Sequence, residues 1–253
     1  GEGGLMSLTG EVMGDPMKVG VALVDVMTGL YSCNAILAAL LARHNGHSGQ
    51  QLDIALLDVQ MAALANQGMN YLATGHNPPR HGNGHPSIVP YQCFATNDGS
   101  LILAIGNDSQ FEKFCHTASC QHIAQDQRFR SNAQRVKHRS ELIPLLATIL
   151  AQQDTATWID KLEQVAVPCG PVNTLEQAFN HPQIKHRQMI KQLPDRNGNM
   201  VATIASPINM SGTPLQYHSA SPELGQHNEQ ILAHQLGYDS AKIAALRCDG
   251  VID

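Results

Sequence analysis

Residues 19–42 read VGVALVDVMTGLYSCNAILAALLA, and Asp25 is their only charged side chain. Taking an unpaired carboxylate out of water is costly, so proteins pair it, hydrogen-bond it or neutralise it. A lone acid in such a run is therefore either a helix cap or a working residue. Leu30, Cys33, Asn34, Leu37, Leu40 and Leu41 keep helical spacing. Arg43 and His44 stand where a last turn favours cations, and Asn45-Gly46 supplies a stop. The spacing predicts a helix starting just after Asp25, with the carboxylate at its positive end. On these residues alone, a plain N-cap and a functional acid both stay open. The run is also as long as a membrane span. Gly, Thr, Ser, Asn and Asp25 inside it argue against one, as does a strand-like first part ahead of a helical second part.

Breaker residues divide the rest into three regions. Residues 1 to about 75 read as α/β: a loop, the Asp25 helix, a short strand over residues 51–57, and a helix from about 58 to 74 with Asp58 as its simplest cap. HNPPRHGNGHP reads as a loop and domain boundary. The second region, from about 87 to 194, opens with a hairpin, IVPYQCFAT-NDG-SLILAIG, turning at Asn-Asp-Gly. Helices are expected around 108–118, 140–152 and 155–165. Residues 128–139 carry four arginines, a lysine and a histidine. They read as a solvated, partly helical surface, or alternatively as a contact for coenzyme phosphates or a partner subunit. The third region starts near Met189. It has a second hairpin signal in QLPDRNGNMVATI, a breaker-rich loop, a helix ending at Gly237 and a short final helix.

Composition narrows the function classes. Charged residues make up 15% and the net charge is -5, so no polybasic surface for nucleic acid or anionic membrane is expected. Trp158 and the few other aromatics offer no stacking platform for bases. The six cysteines (33, 93, 115, 120, 169, 248) form no CxxC pair, which suits free thiols in a reducing cytoplasm. None of the thirteen histidines lies in an HxH or HExxH pattern, so no metal is expected.

Six segments, in order, resemble the class III CoA-transferases. They are GGLMSLTGE, VALVDVMTGLYSCNAILAALLAR, GQQLDIALLD, HGNGHPSIVPYQCFATNDG, VPCGPVNTLEQAFNHPQ and ELGQHNEQIL. GHPSIVPYQCF and AIGNDSQF look most like the branch that uses succinyl-CoA and small dicarboxylates, the succinate–hydroxymethylglutarate CoA-transferase type. The resemblance implies an α/β fold: part of a Rossmann-type large domain plus a smaller α+β domain, with the N-terminal half of the large domain absent. It implies residues 1–80 as the remaining large-domain part, 81–195 as the small domain, and 196–253 as a segment returning to the large domain. The chain is then the C-terminal part of a longer protein, and residues 1–253 alone are expected to show little activity.

The resemblance also implies chemistry. The residue matching Asp25 is the nucleophile; it attacks an acyl-CoA thioester, and CoA passes to a small carboxylic acid through an acyl-aspartyl anhydride and an aspartyl-CoA thioester. Coenzyme A enters as the acyl-CoA substrate, and no metal takes part. An interlocked homodimer is implied; the cytoplasmic setting and the lack of a nucleic-acid or membrane partner are expected from the cysteines, the charge and the make-up of the apolar run. The loop Gly82-Asn83-Gly84-His85-Pro86 matches a glycine-rich active-site loop, with His85 and Pro86 where more glycine is the pattern. Its N–H groups are candidates for an oxyanion, and His85 for an acceptor carboxylate; a rigid connector is the plain alternative. Cys169 reads as packed, and Gln226 and His227 as caps of the following helix. Two alternatives stand beside transfer. One is an α-methylacyl-CoA racemase, in which the aspartate carries a proton and a glycine run follows it; Val26-Met27-Thr28-Gly29 stands there instead. The other is an inactive CoA-binding relative.

Overall fold

A single turn of helix, α1 (Leu5–Leu8), precedes the long apolar helix α2 (Leu23–His44) in the computed structural model, which describes residues 1–252. The helix starts two residues before Asp25, not after it. Ala22 is the N-cap and no side chain caps the end, so Asp25 is the third residue of the first turn. Leu23 and Val24 have no cap chemistry to mark the boundary, and backbone geometry sets it instead. Residues 19–22 form no strand. By length and composition α2 could cross a membrane. None of its residues is buried, and Val26, Leu30, Leu37 and Leu41 are each more than half exposed. Thr28 and Ser32 turn their hydroxyls back onto the helix, donating to Val24 O and Thr28 O.

Residues 51–55 form no strand either: they are extended, largely exposed and unpaired among the described residues. A strand exists only through a partner ladder. The following helix begins at Leu56, so Asp58 lies in its first turn rather than at its cap. It is broken into α3 (Leu56–Ala63) and α4 (Ala65–Thr74) at Ala65, whose φ is +47°. No glycine or proline announces that break.

The first hairpin forms as read. Strands β1 (Tyr91–Ala95) and β2 (Ser100–Ala104) pair antiparallel from Tyr91↔Ala104 to Ala95↔Ser100. Helices α5 (Asp108–Thr117), α6 (Gln121–Gln125), α7 (Asn132–Lys137), α8 (Arg139–Leu150) and α9 (Thr155–Glu163) follow. Asn107, Ser131 and Asp154 cap α5, α7 and α9 through their side-chain oxygens. Strand β3 (Cys169–Pro171) adds to the free edge of β2. Alternate β2 residues Leu101 and Leu103 point inward, meeting Phe111 and Phe114 of α5, Leu142, Leu146 and Leu150 of α8, and Trp158 and Leu162 of α9. The i, i+4, i+8 spacing on α8 is the helical counterpart of the strand's period of two. Trp158 is buried in this core, donating Nε1–H to Leu150 O at 2.8 Å.

The chain divides into two units, Gly1–Val172 and Asn173–Asp253. The second holds α10 (Leu175–Asn180), α11 (Pro182–His186), the antiparallel pair β4 (Ile190–Pro194) and β5 (Met200–Ile204), α12 (Asn228–His234) and α13 (Ser240–Cys248). Its hairpin turns through Asp195, whose carboxylate accepts from the Asn197 and Asn199 amides. Neither Gln226 nor His227 caps α12 with its side chain. His227 is the N-cap by backbone only, and Gln226 Oε1 accepts from Glu223 N instead.

Candidate active site

Asp25 sits on the wall of an open hollow of about 380 Å³, formed where α1, the loop before α2 and α3 meet. Leu5, Met6 and Met17 supply apolar wall; Lys18 and Gln60 supply polar groups beside Asp25. No other Asp or Glu lines it. The Asp25 side chain is exposed and makes no hydrogen bond among the described residues. The buried carboxylate expected from an apolar run is thus not what the described chain contains: no residue of α2 is buried. The first-turn amides of Val24 and Asp25 find no backbone acceptor. They and the helix dipole favour an anion at this end.

Gln60 reaches the hollow because Gly3 lets it. A Cβ built on Gly3 would lie 2.6 Å from Gln60 Cδ and 2.7 Å from its Oε1. Gly3 is itself buried, so the glycine is the seat of that side chain. Sequence reading missed Gln60 and Lys18. A signal for Gln60 existed: in VQMAALA it is the one polar residue of an apolar helical stretch.

The second candidate, residues 82–86, is pinned rather than free. Gly84 N donates to His81 O at 2.8 Å, and His85 N donates to Tyr91 O at 2.9 Å. Those two amides are spent within the loop, which leaves the Gly82 and Asn83 amides for any oxyanion. The His85 ring stacks on Tyr91, with centroids 5.3 Å apart and planes 12° apart. Its Nδ1 accepts from Ser87 N at 3.1 Å. An Nδ1 that accepts carries no proton, so the ring proton stands on Nε2. Arg139, at the start of α8, donates to His85 O and Pro86 O. Asn132 holds the next turn, donating to Ser87 O and accepting from Val89 N.

The backbone conformation also separates the glycines of this loop. Gly82 has φ +56°, whereas Gly84 has no left-handed backbone. Gly84 is small for a different reason: a Cβ there would sit 3.1 Å from His81 O and 3.5 Å from Arg139 Nη1.

Asp25 and this loop do not line one cavity. The segment 9–17 touches both. Thr9 and Met17 border the Asp25 hollow, and Thr9 donates its hydroxyl to Met17 O. At the other end Arg80 donates to Glu11 O and Gly14 O, just ahead of Gly82.

The basic run 128–139 is only partly the solvated surface expected. Arg135 is fully buried. It donates to Val89 O at 2.7 Å, Phe129 O at 3.0 Å and Asp108 Oδ1 at 2.7 Å, with its guanidinium over the Phe111 ring. Arg128 pairs at the surface with Asp126 and Glu141. Cys169 packs against the core, and burial, then Glu163, push its thiol up. Among the described residues, no group of three His, Cys, Asp or Glu side chains could hold a metal.

A model of the family described as CoA-transferase family III matches residues 1–228. The chain is 45% identical over 233 residues to a succinate–glutarate CoA-transferase of Agrobacterium fabrum, covering 92% of this chain and 58% of that protein. It is 36% identical over 250 residues to a mouse succinyl-CoA:glutarate CoA-transferase, covering 99% of this chain and 57% of the relative. It superposes on the crystal structure of a CAIB/BAIF family protein from Brucella suis with TM-score 0.78 and 42% identity, covering 92% of this chain and 60% of that one. The chain therefore spans a little under three-fifths of the length of these relatives.

Proposed function

The chain belongs to CoA-transferase family III and has its fold, and on that premise we propose that the protein moves coenzyme A from succinyl-CoA, or a similar short acyl-CoA, to a small carboxylic acid. One observation carries this: Asp25 is the single acid on the wall of the hollow, with no side-chain partner and two open amides beside it. A carboxylate so placed can attack without first being released from an ion pair.

Asp25 adds to the thioester carbonyl, and the C–S bond breaks to leave an acyl-aspartyl anhydride and CoA thiolate. The thiolate attacks the aspartyl carbonyl and frees the donor acid, giving aspartyl-CoA. The acceptor carboxylate attacks that thioester and again releases the thiolate. Attack of the thiolate on the acceptor's acyl carbon yields the new acyl-CoA and restores Asp25. No general base is needed, because every nucleophile is already an anion. Each addition builds an oxyanion, for which the free amides of Gly82 and Asn83 are our candidates, with His85 contacting the acceptor acid. Lys18 adds positive charge near the entering anions.

Residues 1–80 and 196–253 are proposed as parts of a Rossmann-type large domain, and 81–195 as the small one. We further propose that the protein works as a cytoplasmic homodimer with no membrane or nucleic-acid partner. The low charge and the six free cysteines support this setting, and the bare apolar faces of α2 and α4 support cover by further polypeptide. The test is Asp25→Asn in the intact protein. The proposal expects an unchanged melting temperature and lost turnover; a variant that turns over near the normal rate ends it.

A further inference from the structure

Arg139 is a half-buried cation that no carboxylate among the described residues pairs with. Leaving such a charge uncompensated is costly, and desolvation pulls its guanidinium below its ordinary range. Only one side of the group is in use. Nη2 donates to His85 O at 2.6 Å and to Pro86 O at 3.0 Å. Nη1 faces Gly84, where an added Cβ would stand 3.5 Å away. Every fully buried side-chain nitrogen among the described residues has a partner, so Nη1, which has none, is open to solvent.

The surroundings suit an anion. His81 lies close enough for Arg139 and His85 to act on it: burial first, then Arg139, then His85 push its imidazole down, so His81 favours the neutral ring. The His85 ring is fixed by the Tyr91 stack and the Ser87 amide, with its proton on Nε2. A guanidinium edge beside a fixed imidazole is a donor set for a carboxylate; the acid that meets this loop, Glu11, stands with its Oε2 3.6 Å from where a Cβ on Gly82 would lie and does not pair with Arg139. A side chain at position 84 would stand in contact with Nη1.

We infer that Arg139, with His85 beside it, forms a binding site for the carboxylate that does not react in a dicarboxylic acid, so that this loop selects diacids over monoacids. The role in selection rests on the transfer reading above; the binding site itself does not. A bound carboxylate offsets the lone charge and fixes the far end of the substrate.

The test uses the intact protein and two probes, glutarate and butyrate, followed through the His85 ring resonance with labelled histidine and without CoA. Glutarate should move the His85 signal and bind about ten-fold or more tighter than butyrate, the scale of one charge-assisted pair. Arg139→Gln should weaken glutarate by a similar factor and erase its advantage over butyrate. Gly84→Ala, which keeps Arg139 but sets a methyl 3.5 Å from Nη1, should also weaken glutarate, with the melting temperature measured beside it because the same methyl lies 3.1 Å from His81 O. No His85 response to glutarate in the unaltered protein, or variants that bind it as tightly, would overturn the site. If glutarate binds as expected while no acyl group ever reaches Asp25, the transfer reading fails and the carboxylate site stands.

Discussion

Arg139 grips His85 by its backbone, with Nη2 2.6 Å from the His85 carbonyl oxygen, across 54 residues of sequence. The contact ties the start of α8 to a loop ahead of the first hairpin. It fastens the loop read as a candidate for an oxyanion to that helix, and it sets which groups of the loop stay free.

Crowding at position 84 should therefore act through Arg139 rather than through a lost amide. Gly84→Val would push its branched side chain toward His81 O, 3.1 Å from the first carbon. Turnover in the intact protein should fall about ten-fold or more, or about 1.4 kcal/mol in barrier height. The acceptor's KM should rise more than the donor's. A lowered melting temperature with unchanged turnover per folded molecule would remove the loop from the site.

Gly3→Ala should displace Gln60 and little else. The obstructing atoms belong to a flexible side chain, which can swing away. We expect a melting temperature close to that of the parent and a several-fold loss of turnover, matched by Gln60→Ala. If Gly3→Ala is fully active, Gln60 has no part in the chemistry.

Arg135 should be the most costly of the basic run to remove. Arg135→Ala leaves the carbonyls of Val89 and Phe129 without their donor and opens a cavity against Phe111. The expected loss is about 3 kcal/mol or more. Arg130→Ala, at an exposed position, should cost under about 0.5 kcal/mol. Denaturant unfolding of both variants checks the contrast; equal small losses would contradict it.

Asp98 links the first hairpin turn to α9. Its Oδ1 accepts from Thr155 N at 2.8 Å and Thr155 Oγ1 at 3.0 Å. Those bonds, the amide first, hold its carboxyl below its ordinary value of 3.8. A depressed folded pKa means stability that is present above 3.8 and lost as pH falls through the lowered value. Asp98→Asn should therefore melt lower than the parent at pH 7, and the gap should close in acid. A gap independent of pH would show that ionisation of Asp98 contributes nothing.

Features that depend on neighbours in sequence were the legible ones. The Asn-Asp-Gly turn of the first hairpin and the helices expected around 108–118, 140–152 and 155–165 rest on local patterns, and each formed close to where it was read. Asp25 at the positive end of a helix was readable too, though two residues out, because Ala22 caps by backbone alone. What stayed hidden needed the third dimension. A charge run cannot disclose that Arg135 turns inward while Arg128 turns outward. The break at Ala65 has no glycine or proline to mark it. A short strand was expected over residues 51–57, but α3 takes its last two residues and a strand needs a partner that no described residue provides for the rest.

The central claim is that Asp25 carries the transferred group, and trapping tests it directly. The intact protein is incubated with succinyl-CoA and hydroxylamine, digested and examined by mass spectrometry. Hydroxylamine captures an acyl-aspartyl or aspartyl-CoA intermediate as a hydroxamate on the carboxyl that formed it. The account predicts a hydroxamate on Asp25, dependent on succinyl-CoA and absent in Asp25→Asn. A working enzyme with no modification at Asp25, or with the hydroxamate on another acid, would contradict it.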